Sequence, residues 1–330
     1  MKNRVLYFGS VWVLGILVCI AFQSCDKVQG PEPTQVKVPD SVASLVSEKY
    51  PGASEVVLKA VRENELWEAR FTANGIQYYA GLDPEKIIAE HKLISPSLPD
   101  SLEKLFRDAI PFDFQNAVFS DYREDMVTRL FGMSNNPMYN VKLTTGGKEY
   151  LIYWVPLKVL DDNPRWVYLW WMIPYAKFSY SAFDATPAEI PAVLANFAAS
   201  KGLPANAFSA TVFGDNNLEL ILNGCCGHYV IDGSGKLLFS NENAQAYKTL
   251  SEIPQQIPQR LSQLVNDIQN YKLNGPDNFR FSDNGTTGYS VSLLHDYNMT
   301  KNPNVLIQSD FDNDFKLVRF RLSGTVVRPL

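Results

Sequence analysis

The sequence predicts an α+β fold: a tandem repeat in which a helix is followed by an antiparallel β-sheet module, arranged as two duplicated halves. Three observations point there. A turn of one design is written four times: an Asp, two or three turn-forming residues, a cation, then apolar strand residues. Ahead of each copy stands a segment with apolar residues at helical spacing. The intervals from a helix-starting Pro to the turn Asp alternate short and long: Pro39 to Asp83, Pro99 to Asp161, Pro187 to Asp232, Pro254 to Asp312. Self-similarity at regular spacing is the mark of internal repetition.

The elements follow in chain order. Residues 1–24 begin with Lys2 and Arg4 and run into "VLYFGSVWVLGILVCIAF", a short apolar stretch with a basic front, which reads as an export signal. Its end, "AFQSCDK", resembles the lipobox of bacterial lipoproteins, with Gln23 and Ser24 in place of the commoner apolar and small residues. The resemblance implies that Cys25 becomes the lipidated N-terminus and holds the chain to the cell-envelope membrane, on the outer membrane or its periplasmic face. A single membrane-spanning anchor and a cleaved signal without lipid are the alternatives. Residues 25–37, with Pro31 and Pro33, read as anchor and stiff tether.

Removing Lys2 and Arg4 with the signal takes the formal net charge from −5 to −7. So acidic a chain has no electrostatic footprint for nucleic acid. Of four cysteines, Cys19 leaves with the signal and Cys25 takes the lipid, so only Cys225 and Cys226 remain. Disulfides cannot be the scaffold, and a hydrophobic core must hold the fold.

Four apolar stripes predict helices: Val42, Leu45, Val46 and Tyr50; Leu102, Leu105, Phe106, Ala109 and Ile110; Ile190, Val193, Leu194, Phe197 and Ala198; Ile257, Leu261, Leu264, Val265 and Ile268. Asp100 with Glu103, and Thr186 with Glu189, have capping-box spacing. Pro51-Gly52, Pro111, Gly202 with Pro204, and Gly275-Pro276 are stop signals. Asn74-Gly75 and Asn223-Gly224 predict tight hairpins, each lying shortly before a turn Asp. An Asp suits a turn start because its carboxylate can accept backbone N–H groups two residues on. The expected organisation is a first half at 38–178, with units at 38–94 and 98–178. A second half at 186–324 has units at 186–248 and 250–324.

Residues 38–85, with a Pro before a short helix, the "YPGA" stop at 50–53 and an aromatic hairpin ending at an Asp turn, resemble the PepSY-like, beta-lactamase-inhibitor-protein-like domains of exported bacterial lipoproteins. Residues 186–240 share the pattern more loosely. The resemblance implies non-enzymatic modules of the envelope that present a sheet to a partner. It brings no catalytic residue to carry over, and fold alone does not set function.

Sites for chemistry are sparse. His91, His228 and His295 have no paired spacing, and "TTGGKEY" and "DGSGKLL" lack the spacing of a phosphate-binding loop and sit at expected hairpin turns. Cys225, Cys226 and His228 admit plain strand packing, a vicinal disulfide or a soft metal. Asp310, Asp312 and Asp314 open like a calcium loop, but Phe315 takes the Gly position and Arg321 the place of the bidentate Glu. No metal, cofactor or catalytic residue is nominated.

The informative stretch is "EYLIYWVPLKVLDDNPRWVYLWWMIPY", 149–175. Alternation puts Tyr150, Ile152 and Trp154 on one face, and Trp166, Tyr168, Trp170 and Met172 on one face of the next strand. The opposite Leu/Val side suits the helix of Leu102–Ile110. Tyr150, Trp154, Trp166, Tyr168 and Trp170 are therefore candidates for contact with an exported protein partner, since such rings give much contact area for few frozen torsions. Two other readings stay open. The face packs against the rest of the chain, or its rings stack on a glycan or another small ligand.

Overall fold

A computed structural model describes residues 38–126, 137–160, 163–181, 192–202, 208–213, 218–222, 228–240, 245–274, 278–283, 286–295 and 305–329. The signal, Cys25, the tether, Asp161, Asn223-Gly224, Cys225 and Cys226 lie outside the described residues.

Strands dominate. Among the described residues 57% are strand and 17% helix. Helix α1 (Asp40–Lys49) precedes β1 (Ser54–Arg62), β2 (Leu66–Ala73), β3 (Ile76–Leu82) and β4 (Ile87–Ser97). Helix α2 (Asp100–Ala109) precedes β5 (Val118–Asp125), β6 (Met138–Thr145), β7 (Lys148–Val159) and β8 (Arg165–Pro174). Then come β9 (Ala176–Ser181), α3 (Ala192–Ser200), β10 (Phe208–Phe213), β11 (Leu218–Leu222), β12 (His228–Ile231) and β13 (Leu237–Ser240). The last stretch holds β14 (Gln245–Ala246), α4 (Gln256–Leu261), β15 (Tyr271–Leu273), β16 (Phe279–Asp283), β17 (Thr286–His295), β18 (Val305–Asp312) and β19 (Leu317–Pro329).

The expected α+β repeat of helix-plus-sheet modules does not form. Strands β1 to β8 lie side by side in sequence order and continue through β19, β18, β17, β16 and β14, with β15 also on β17, as one 14-stranded antiparallel sheet. A second sheet of five strands runs β13-β12-β11-β10-β9. The reason is physical. A closed module would leave a row of unpaired N–H and C=O groups at each sheet edge. Pairing β4 with β5, and β8 with β19 from Met172↔Leu322 to Arg165↔Pro329, satisfies those rows instead. The helices, of 10, 10, 9 and 6 residues, are too short to roof separate sheets. At the outer rim β1 is interrupted by two register irregularities, and β14 at the far rim is two residues long.

The predicted stripes place three helices on one face of the large sheet. Val42 and Val46 of α1 pack on Trp67, Ala69, Phe71, Ala80 and Leu82. Leu105 and Phe106 of α2 join Ile152, Trp154, Trp170 and Met172, and Ile257 and Leu261 of α4 join Phe311, Phe320 and Leu322 in the same core. The fourth stripe is helical only to Leu261; Val265 is buried from a turn that follows. The capping box at Asp100 is absent: Pro99 caps without a side-chain bond, and Glu103 is held by Arg107 at 2.8 Å. The other face of the large sheet meets the small one, where Met138, Leu151, Tyr153 and Val155 pack with Ala176 and Phe213. Helix α3 lies on the small sheet through Phe197, whose ring is 5.4 Å from Tyr229.

The repeated turn is closed by the same bonds at its three described sites, the Asp83 turn being one residue shorter than the Asp232 and Asp312 turns. The carboxylates of Asp83, Asp232 and Asp312 accept the N–H of Lys86, Lys236 and Lys316 at 2.8, 3.0 and 2.8 Å. Each Asp N–H in turn donates to the carbonyl of that same Lys. The Asn74-Gly75 hairpin forms as predicted, with both residues left-handed at φ 51° and 73°.

Candidate functional site

The nominated aromatic residues divide into two groups. Tyr150, Trp154 and Trp170 are 5%, 1% and 1% exposed, inside the core under α2. Phe106 of α2 meets Trp154 edge-on at 5.0 Å, and Phe112 meets Tyr150 at 5.0 Å. The Trp/Tyr side thus takes the helix, and the Leu/Val side takes the small sheet, the reverse of the arrangement the alternation suggests. Large rings on α2 and after it fill the space above other large rings, whereas Leu151 and Val155 fit under Ala176 and Phe213. The indole N–H of Trp170 is buried with no acceptor among the described residues.

Trp166 and Tyr168 are half-buried, further along the same face. Tyr168 stands opposite Pro156 and Val326, and Trp166 opposite Lys158 and Arg328. Tyr168 packs against the core edge beside two residues that sequence reasoning did not nominate, Tyr122 of β5 and Tyr139 of β6. The Tyr122 ring stacks on Trp154 at 5.4 Å and 27°. Tyr139 lies 5.7 Å from both rings. The result is a patch of three half-open tyrosines over a buried tryptophan floor.

The patch lies where the sheet passes from the ground covered by α1 to that covered by α2. A row across the strands reads Tyr78, Lys92, Glu124, Tyr139, Trp154 and Trp170 in register. Lys92 and Glu124 approach to 3.9 Å, both about a third exposed. On the α1 side the buried Glu90 accepts from Tyr50 and from Lys49, the latter at 2.6 Å. Burial, then Tyr139, Glu124 and Tyr168, pushes the Tyr122 phenol up to about 12. Burial and Glu124 also raise Tyr139. Both hydroxyls are therefore donors throughout the physiological range, suited to carbonyl, carboxylate or sugar oxygens.

Tyr139 could have been found from the alternation of "MYNVKLTT", which puts it on one face with Val141 and Leu143. Tyr122 could not. Asp121 is left-handed at φ 54° inside a register shift of β5, so the alternation breaks one residue before it.

Two polar clusters occupy the other face of the large sheet. In one, His91 Nδ1 lies 3.8 Å from Asp125 and 3.4 Å from the Asn140 amide nitrogen, and the Arg123 guanidinium sits 4.0 Å over the Tyr79 ring. Burial holds His91 below its ordinary value, outweighing the pull of Asp125. In the other, Asp310 is bound by Arg319 and accepts from Ser290 at 2.8 Å, with His228 at 3.8 Å. Ser290 donates to the carboxylate rather than to the histidine, so this is not the geometry of a base-activated nucleophile. The same bonds turn Asp310 away from a calcium role, while Asp312 caps its own turn. Among the described residues no three His, Cys, Asp or Glu side chains gather as a metal site, and no helix is long and apolar enough to cross a membrane.

No family model, curated protein or solved structure matches this chain. The likeness of residues 38–85 to PepSY-like domains rests on the pattern of those residues alone.

Proposed function

We propose that this is an exported, non-enzymatic envelope protein, lipid-anchored through Cys25, that captures an exported protein partner on the patch of Tyr122, Tyr139 and Tyr168, with Trp166 at its margin. One observation carries the reading. Three tyrosines remain half-open above Trp154 on a sheet face that is otherwise roofed by helices on either side. Tyrosine rings that are rigidly backed and keep their hydroxyl donors are what an interface hot spot needs. Tyr150, Trp154 and Trp170 then serve as the backing rather than as contacts.

The test is capture from native envelopes by the fragment 26–330, compared with a Tyr139→Ala/Tyr168→Ala form whose thermal unfolding is checked first. A protein retained by the first and lost by the second supports the proposal. Equal capture by both overturns it. Retention of a protease-resistant, glycosidase-sensitive species in place of a protein would move the reading to the glycan alternative. The anchor is tested separately: palmitate labelling of the full chain that survives Cys25→Ser overturns lipidation at Cys25.

A further inference from the structure

Two turn sequences, "TTGGKEY" and "SDFDNDFK", have no part in the tyrosine patch, yet the fold brings them together. The β6–β7 turn, the β18–β19 turn and the end of α4 border a cleft of about 150 Å³. Lys148, Arg260 and Lys316 line it, with Leu264 and Leu317 supplying apolar wall above the buried Leu261 and Phe311, and Gln263 an amide.

Each cation is set by local backbone chemistry. Gly146 and Gly147, left-handed at φ 54° and 73°, make the tight turn that starts β7 at Lys148. The Asp312 carboxylate accepts the N–H of Lys316, and Phe315 before it is left-handed at φ 57°. Arg260 sits in the last turn of α4.

None of the three has a carboxylate partner among the described residues. The neighbouring acids are engaged or face water: Glu149 is held by Lys142 at 2.5 Å, Asp312 binds its turn amides, and Asp314 is exposed without reaching Lys316. A chain with formal net charge −5 thus gathers three uncompensated cations around one concavity. Charge of one sign around a low-dielectric cleft focuses the field on an ion of the other sign. The apolar wall asks that this ion carry a greasy flank. The volume, about five waters at ~30 Å³ each, suits a small ring or short chain beside one anionic group.

We propose that this cleft binds a small organic anion, a phosphate monoester or carboxylate bearing an aryl or short alkyl group. The arginine fork and the two ammonium groups hold the oxygens, while Leu264 and Leu317 take the apolar portion. The site is independent of the tyrosine patch.

The experiment is calorimetric titration of the fragment 26–330 with phenyl phosphate, benzoate and inorganic phosphate. The expected result is saturable binding of phenyl phosphate or benzoate, with inorganic phosphate weaker. Affinity should drop about tenfold or more in Lys148→Gln/Arg260→Gln/Lys316→Gln, and should fall on raising salt to about 0.5 M. Absence of saturable binding by all three probes overturns the proposal. So does equal affinity of wild type and triple variant, or inorganic phosphate binding as tightly as the organic probes. All three side chains are exposed, so the thermal midpoint should hold. If the triple variant unfolds, Lys148→Gln alone decides: an unchanged affinity in that form overturns the site.

Discussion

At the scale of single residues, the core and the patch separate by what truncation should cost. Trp154 and Trp170 are enclosed by α2 and by neighbouring strands, so Trp154→Ala should lose about 3–5 kcal/mol in urea unfolding. Trp166→Ala, half-exposed beside Lys158 and Arg328, should lose much less. Equal urea midpoints for Trp154→Ala and wild type would remove Trp154 from the core. His91 gives a second prediction, on pH. Its folded value lies below the ordinary 6.5 because of burial, with Asp125 raising it, Arg123 lowering it and Glu90 raising it. Below about 6.5 the unfolded chain takes up a proton that the folded chain refuses. The stability at stake is complete above that pH and is lost as pH falls toward the folded value. Urea midpoints between pH 7 and 5 should therefore fall more steeply in wild type than in His91→Gln. Parallel slopes would show that burial does not set the proton affinity of His91. The faces of these residues were legible in the sequence, but their covers were not. Residues 150–155 are all buried, because both sides of β7 are roofed. Alternation sorts side chains between two faces and says nothing of what lies on each.

At the scale of elements, the punctuation was readable because it is local chemistry. The Asp turns need only a carboxylate and the amides that follow it. Asp312→Ala should cost about 1–2 kcal/mol for two N–H groups left without their acceptor, while Asp312→Asn, which keeps an acceptor oxygen, should stay close to wild type. Similar losses in both variants, measured by chemical unfolding, would mean that charge rather than the turn bond matters there. The stripes of α1 and α2 were legible for the same reason, since Val42 and Val46, or Leu105 and Phe106, sit one turn or less apart. The fourth stripe misled because Ile257, Leu261 and Val265 keep a spacing of four while the helix ends at Leu261. The capping box misled because Glu103 has a nearer partner in Arg107.

At the scale of the molecule, the sequence carried no sign of one continuous sheet. The junction of β8 with β19 joins residues 165–172 to 322–329, and a pairing across such a distance leaves no trace in local pattern. Repeated turns and helix starts point to separate modules, whereas the strands prolong one another's hydrogen-bond ladders. The tyrosine patch was likewise half legible. Trp154 and Tyr168 belong to the stretch that stands out by composition, but Tyr122 joins them only through a strand arriving from elsewhere. The sheet's two rims also have a consequence for how copies of this chain meet one another. A straight terminal strand would let neighbouring copies zip together into fibrils. Kinks within Ser54–Arg62 at one end, and a stub of two residues at the other, deny that template and let molecules crowd while remaining separate.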